Sequence, residues 1–229
     1  MRKAAATVAA IAATVACGNA LCAPHLVPCS RIAGYQEQVE RLMRAAWPRD
    51  LELLTIMYVP FAEHGIGLAR TAGGFDLIRL EFDKSFWYSS WREVEAGEAL
   101  ANAVAVATEV HRADGGPLGA QVLDFSSTNV RVASSAVPIS EQLGVALLDV
   151  FGRHVAAARA EIAAEILNDG YRFDILLAGR PCAALENPPR ESDAYRMERL
   201  VRLLYNKVPT WGPLESQAIE AEVLAAIPN

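Results

Sequence analysis

Residues 139–170 read ISEQLGVALLDVFGRHVAAARAEIAAEILNDG, and this stretch decides the fold. Its apolar side chains recur at spacings of three and four, the period of an amphipathic helix with one buried face. Ser140 supplies an N-cap hydroxyl, and Gly170 can take the left-handed conformation of a helix end. The predicted apolar stripe consists of Leu143, Leu147, Val150, Phe151, Val155, Ala158, Ile162 and Ile166. We therefore predict one long helix over 139–170.

Segments of strand character precede and follow this helix. Residues 51–59 are nearly continuous in apolar side chains, which is typical of a strand buried on both faces. Ala72-Gly73-Gly74 separates two strand-like runs, 65–71 and 75–82, as a hairpin turn would. Further strands are predicted over 86–91, 103–112, 121–126, 129–134 and 171–177, of which 121–126 and 129–134 form a second hairpin. Further helices are predicted over 31–47, 92–100, 192–206 and 213–227. An alanine-rich helix over 98–112 remains the alternative to the strand there.

The predicted strands cluster in the middle of the chain, and helices lie toward both ends. This order predicts an α+β fold, in which an antiparallel sheet of about five to six strands packs against the long amphipathic helix. Further helices are expected N- and C-terminal to this unit. The chain has 229 residues, of which 52% are hydrophobic, and this is enough for one sizeable core. We predict a single globular domain over residues 21–229.

The first twenty residues have the composition of a bacterial export signal. A short basic start, Met1-Arg2-Lys3, precedes an uncharged run of small and apolar residues over 4–16. The run is too short and too rich in alanine for a convincing membrane span. We predict cleavage after Ala20, with a shift to Cys22 as the alternative. The mature chain is then periplasmic or secreted.

Lipidation is the competing interpretation of the same segment. Thr14-Val15-Ala16-Cys17-Gly18 resembles the lipobox of bacterial lipoproteins, which would make Cys17 the lipidated first residue and anchor the protein to the outer or inner membrane. The pattern departs from that motif at Thr14, where leucine is usual. Loss of Arg2 and Lys3 would take the formal net charge from −6 to −8. No basic block then remains to follow a phosphate backbone, so nucleic acid is excluded as a partner.

The four cysteines fit an exported protein. Cys17 and Cys22 lie in or beside the predicted signal, which leaves Cys29 and Cys182 as a natural disulfide pair in an oxidising compartment. Two unpaired thiols are the alternative. The cysteines and histidines show no metal-ligand spacing, so we predict no metal and no cofactor.

The sequence contains none of the common catalytic motifs, including HExxH, GxSxG and the phosphate-binding loop. A cluster of aromatic residues is the strongest binding candidate. Such residues form an exposed platform for a sugar or peptide, or they pack under a helix. The cluster consists of Phe86, Trp87, Tyr88 and Trp91.

Two histidines are weak catalytic candidates. Glu63 precedes His64, and this carboxylate–imidazole pair could supply a general base if a turn brought the two side chains together. A solvated loop is the favoured interpretation of this pair. His154 lies inside the apolar stripe with Glu161 further along the helix, and the favoured interpretation there is a structural histidine bonded to a backbone carbonyl.

These observations predict an exported binding or interaction protein that is not an enzyme. Its partner would be an envelope protein, a peptide or a glycan. A small periplasmic hydrolase with a histidine–carboxylate site is the second hypothesis, and a structural subunit of an envelope complex is the third.

Overall fold

The computed structural model describes residues 27–29, 34–58, 62–94, 108–111, 117–123, 129–158, 172–186, 188, 190 and 192–228. The strands in these ranges are β1 Val27–Pro28, β2 Leu53–Tyr58, β3 His64–Thr71, β4 Gly74–Phe82, β5 Trp91–Val94, β6 Thr108–His111, β7 Pro117–Leu123, β8 Val132–Ile139, β9 Arg172–Leu177 and β10 Ala183–Glu186. The α-helices are α1 Tyr35–Ala45, α2 Phe86–Ser89, α3 Glu141–Ala156, α4 Asp193–Lys207 and α5 Ser216–Ala226, and a 3₁₀ helix, Val208–Thr210, follows α4.

Seven strands form the main sheet, in the order β1-β10-β9-β2-β3-β4-β8. Each neighbouring pair is antiparallel. A second sheet has the order β5-β7-β6 and is also antiparallel. The predicted α+β class, with an antiparallel sheet and several helices, is confirmed.

Helices cover both faces of the main sheet. One apolar core joins α3, α4 and α5 to one face, and a second core joins α1 and α2 to the other. Strand β4 shows the reason, because Leu77 faces the first core and the next residue, Ile78, faces the second. The sheet therefore lies between two helical layers, whereas the sequence predicted packing against one long helix.

Helix α3 begins as predicted. The Ser140 hydroxyl accepts a hydrogen bond from the backbone N–H of Leu143 at 3.2 Å. Leu147 and Phe151, on the predicted stripe, are fully buried. A Cβ atom at Gly144 would overlap the Phe75 ring, so this glycine allows the helix to approach the sheet closely.

The described helix ends at Ala156, so the predicted continuation to Gly170 is not confirmed. The N–H of Ala157 bonds to the carbonyl of Arg153, and Arg180 Nη1 donates to the Gly152 carbonyl at 3.0 Å. These bonds satisfy backbone groups of the last turn, as a helix end requires. Residues 159–171, with the predicted stripe positions Ile162 and Ile166, lie outside the described residues.

The strand predicted over 86–91 is wrong, because this segment forms α2 followed by the start of β5. The Ser85 hydroxyl accepts from the N–H of Tyr88 at 3.3 Å and caps the short helix. The predicted helix over 92–100 is also wrong at its start, where β5 continues to Val94; residues 95–100 lie outside the described part of the chain. Strand β6 agrees with the strand predicted over 103–112, of which 103–107 and residue 112 are not described.

The predicted second hairpin does not form. Strand β7 pairs with β5 and β6, whereas β8 pairs along its whole length with β4. Pairing with β4 lets Val137 and Ile139 join the core beneath α3. Strand β10 lies outside every predicted strand and helix. The predicted β2, β3–β4 hairpin, β9, α1, α4 and α5 are confirmed, with ends that shift by a few residues.

No helix of the described residues has the length and apolar character needed to cross a membrane.

Candidate functional site

Glu63 is fully buried beside α1 and α2, although a solvated loop was the favoured prediction. Its carboxylate accepts three hydrogen bonds, from the Tyr35 hydroxyl at 2.6 Å, from the N–H of Phe86 at 2.7 Å and from the N–H of Trp87 at 3.0 Å. The two backbone donors belong to the first turn of α2, where N–H groups have no partner within the helix. Burial raises the pKa of Tyr35 above its usual value, and the Glu63 carboxylate raises it further, so the hydroxyl keeps its proton and remains a donor. This arrangement ties three chain segments together.

The aromatic cluster is divided between core and surface. Phe86 is buried, and Trp87 packs edge-on against Tyr35 with ring centroids 4.9 Å apart. Tyr88 is 61% exposed. Trp91 is the first residue of β5, and its side chain lies outside the described atoms. The described residues therefore present one exposed ring of the predicted platform rather than a continuous aromatic surface.

His64 faces the opposite side of the sheet from Glu63, so the two side chains do not meet. Its ring lies 4.5 Å from that of Tyr205, and its Nδ1 lies 3.1 Å from the Ala62 carbonyl oxygen. Burial lowers the pKa of His64, and the nearby Arg202 guanidinium lowers it further, while the Ala62 contact opposes the change. The imidazole is therefore neutral at neutral pH, and its Nε2 is the basic nitrogen if Nδ1 donates to the carbonyl.

A charged group that the sequence analysis did not predict lies beside His64. Arg79 Nη2 donates to the Tyr205 hydroxyl at 2.8 Å and pairs with Glu81 at 2.7 Å. The guanidinium carbon of Arg79 lies 4.3 Å from the centre of the Tyr205 ring. Within the described part of the chain, the buried Nε of Arg79 has no hydrogen-bond acceptor. These contacts form a half-buried polar cluster beside His64 among the described residues.

His154 is half-buried on α3, near its end. Burial lowers its pKa, while the charge of Asp193 opposes that shift. The predicted partner Glu161 lies outside the described residues. The described structure therefore brings no carboxylate of α3 to this histidine and leaves the predicted site untested.

Cys29 and Cys182 lie at disulfide distance, with their Cα atoms 5.5 Å apart. They join the end of β1 to the residue before β10, 153 positions later in the chain. Asp174 of β9 lies beside them and is 1% exposed. No local pattern places Asp174 near the cysteines, because the pairing of β9, β10 and β1 brings the three together.

The outer edge of β8 is the remaining candidate. Strand β8 is the last strand of the main sheet, and no described strand pairs with its outer side. Four consecutive small residues, Ala133 to Ala136, are exposed along it. An unpaired strand edge presents backbone donors and acceptors that another chain can bind.

Comparisons of the chain with models of protein families, with curated proteins and with solved structures each find no match. The functional inference therefore depends on the β8 edge, the polar cluster beside His64 and the cysteine pair.

Proposed function

We propose that the protein is exported and that its mature domain is a non-enzymatic interaction protein. It binds an extended segment of an envelope partner by adding that segment to the sheet at β8. The single observation that carries this proposal is the regular edge of β8, with which no described strand pairs. Extended peptides bind such edges through main-chain hydrogen bonds, and pockets for alternate side chains give selectivity.

The alternation of hydrogen bonds along β8 identifies the backbone groups that a partner strand would bind. The N–H of Asp83 donates to the carbonyl of Arg131 at 2.9 Å, and Asp83 lies opposite Arg131 in the β4–β8 register. Antiparallel strands alternate between residues that bond inward and residues that bond outward. The even-numbered residues Val132, Ser134 and Ala136 therefore direct their backbone groups away from β4. Pro138, which has no N–H, has the same outward phase.

The side chains of β8 leave room for a partner strand. Ala133, Ser134, Ser135 and Ala136 are all exposed and all small. The pairing with β4 continues without a bulge from Val132 to Ile139, so the edge is straight enough for several consecutive bonds. A long edge of this kind also promotes aggregation when nothing covers it. A bound peptide would supply that cover.

The sequence supports the location. The basic start at Arg2-Lys3 and the uncharged run over 4–16 have the pattern of an export signal. The cysteine pair suits an oxidising compartment. Lipidation at Cys17 remains the alternative to a freely diffusing mature chain.

The test is to select peptides from a displayed library of linear sequences and to compare their affinity for wild-type protein and for two variants. Ala136→Pro removes one outward N–H and keeps every bond to β4, so it should weaken binding at least about tenfold. Tyr88→Ala removes the exposed aromatic ring and should leave the affinity within about twofold of wild type. Amide exchange should slow at Ser134 and Ala136 when the peptide binds.

Three results would overturn this proposal. If Ala136→Pro binds the peptide as tightly as wild type, the β8 edge is not the binding site. If only Tyr88→Ala loses affinity, the exposed aromatic ring is the binding site, as expected for a glycan-binding protein. A wild-type dimer that Ala136→Pro converts to a monomer would make a second copy of the chain the occupant of β8.

One observation favours the hydrolase hypothesis as a second candidate. His64 is neutral at neutral pH, packs at a tilted angle against Tyr205 and lies beside Arg79, whose Nε has no acceptor among the described residues. If this site is catalytic, wild-type protein should hydrolyse one of a panel of ester and amide substrates, and His64→Gln should abolish that activity. Peptide binding at β8 should be unaffected by this variant.

A further inference from the structure

Three side chains that can bind a metal lie on one face of the sheet at its β1 end. In the pairing of β1 with β10, Pro28 lies opposite Ala183, and the N–H of Cys29 continues this register by donating to the carbonyl of Cys182 at 3.3 Å. Ala184 of β10 lies opposite Asp174 of β9. Because side chains two residues apart in a strand share a face, Cys182 lies on the face of Ala184 and therefore beside Asp174.

The three ligand atoms are close enough to surround one small cation once the bond between the two sulfurs is broken. The two sulfurs and a carboxylate oxygen of Asp174 all lie within 4.8 Å of one another. Tetrahedral Zn²⁺ with Zn–S near 2.3 Å and Zn–O near 2.0 Å places its ligand atoms roughly 3.5–3.8 Å apart. Side-chain rotations that move the atoms by about 1 Å would therefore complete three of four positions.

The carboxylate already has an orienting partner. Tyr58 Oη donates to Asp174 Oδ2 at 3.3 Å, and Asp174 is almost completely buried while both cysteines are partly exposed. Hydrogen bonds of this kind fix the direction of metal-binding carboxylates. Partial exposure of the cysteines gives a reductant and an ion a path to the sulfurs.

We propose that the reduced form of the protein binds one Zn²⁺ through Cys29, Cys182 and Asp174, with water at the fourth position. A dithiol reductant donates two electrons and two protons to the disulfide, which yields two protein thiols and the oxidised reductant. Zn²⁺ then binds both sulfurs and the Asp174 carboxylate, and the two thiol protons are released to solvent. In the reverse direction the ion is lost and the thiols take up two protons, and an oxidant that carries a disulfide then accepts two electrons and two protons, becomes a dithiol and restores the protein disulfide.

This site replaces one cross-link with another. In the oxidised protein a covalent bond holds β1 against β10, and in the reduced protein the zinc ion holds the same two segments. The site lies at the opposite edge of the sheet from β8, so it is independent of the proposed peptide binding. Cysteines 153 positions apart gave no local metal motif, which is why the sequence predicted no metal.

The test uses the full mature chain, reduced with a phosphine without oxygen, and Co²⁺ as a spectroscopic probe. We expect thiolate-to-cobalt charge-transfer absorption at one ion per chain, and Zn²⁺ should displace the Co²⁺. The oxidised protein should give no such absorption. Asp174→Asn should weaken Zn²⁺ binding at least about tenfold, whereas Asp76→Asn, a carboxylate change on β4, should not alter it.

X-ray absorption at the zinc edge of the wild-type complex tests the ligand set without any variant. Two sulfurs near 2.3 Å and oxygen ligands near 2.0 Å are expected. The proposal fails if the reduced protein takes up no Co²⁺, if Asp174→Asn binds Zn²⁺ as tightly as wild type, or if the zinc shell contains four sulfurs from two chains. If Asp174→Asn does not fold, the absorption spectrum of the wild-type complex decides between these outcomes.

Discussion

Replacing Glu63 with glutamine is expected to lower the free energy of unfolding by about 3 kcal/mol. Glutamine has the same shape, but one of its terminal atoms is a donor and cannot accept. Oε2 of Glu63 accepts from the Phe86 N–H, whereas Oε1 accepts from both the Tyr35 hydroxyl and the Trp87 N–H. The least costly orientation places the amide nitrogen against Phe86, which leaves the buried Phe86 N–H without an acceptor and sets it against a second donor.

The magnitude follows from these contacts. A buried hydrogen bond to a charged group contributes about 1.5–3 kcal/mol, and the two remaining bonds weaken to the strength of neutral ones. Urea denaturation at matched slopes measures the loss. Glu222→Gln is the matched control, because Glu222 is 50% exposed in its pair with Lys207 and should cost less than about 1 kcal/mol. In a double-mutant cycle, Tyr35→Phe should cost less in the glutamine background than in wild type. Equal costs for Glu63→Gln and Glu222→Gln would refute the role assigned to Glu63.

Three further predictions concern the core, the cross-link and the N-terminus. Leu147→Ala should lower the free energy of unfolding in a urea titration by about 2–5 kcal/mol, because Leu147 is fully buried. The control is Val145→Ala, at a position that is 48% exposed, which should change this free energy by less than about 1 kcal/mol. Cys29 and Cys182 should resist alkylation in native, unreduced protein and react after reduction; free modification of both by mass spectrometry would contradict the disulfide. N-terminal sequencing of envelope protein should find a start within residues 17–23, and an intact Met1 would contradict export.

Elements with a local signal were predictable. The stripe of α3 is visible because residues three and four apart share a helix face, so Leu143 and Leu147 indicate burial whatever they contact. The Ala72-Gly73-Gly74 turn likewise predicted the β3–β4 hairpin from adjacent residues. The length of the helix was harder to predict, since its end involves Arg180, a residue well beyond it in the chain.

The candidate sites depend on contacts between distant residues, and these left no local pattern. Phe86 and Trp87 have strand propensity, but the carboxylate of Glu63 accepts their N–H groups and favours a helical turn. The second hairpin failed for a similar reason, because β8 pairs with β4 and thereby places Val137 and Ile139 in the core. Asp174 and the cysteines meet only after β9, β10 and β1 have paired.

The strand order also determines when the N-terminal segment can be placed. Strands β2, β3 and β4 are close in sequence and can pair early during synthesis, but β1 has no described partner other than β10. Residues 183–186 must therefore leave the ribosome, or cross the membrane if the chain is exported, before β1 has an edge to join. Until then the segment around Cys29 stays outside the sheet with its thiol accessible to oxidants and to other chains. A folding catalyst that protects this cysteine would thus act over most of the time needed to make the domain.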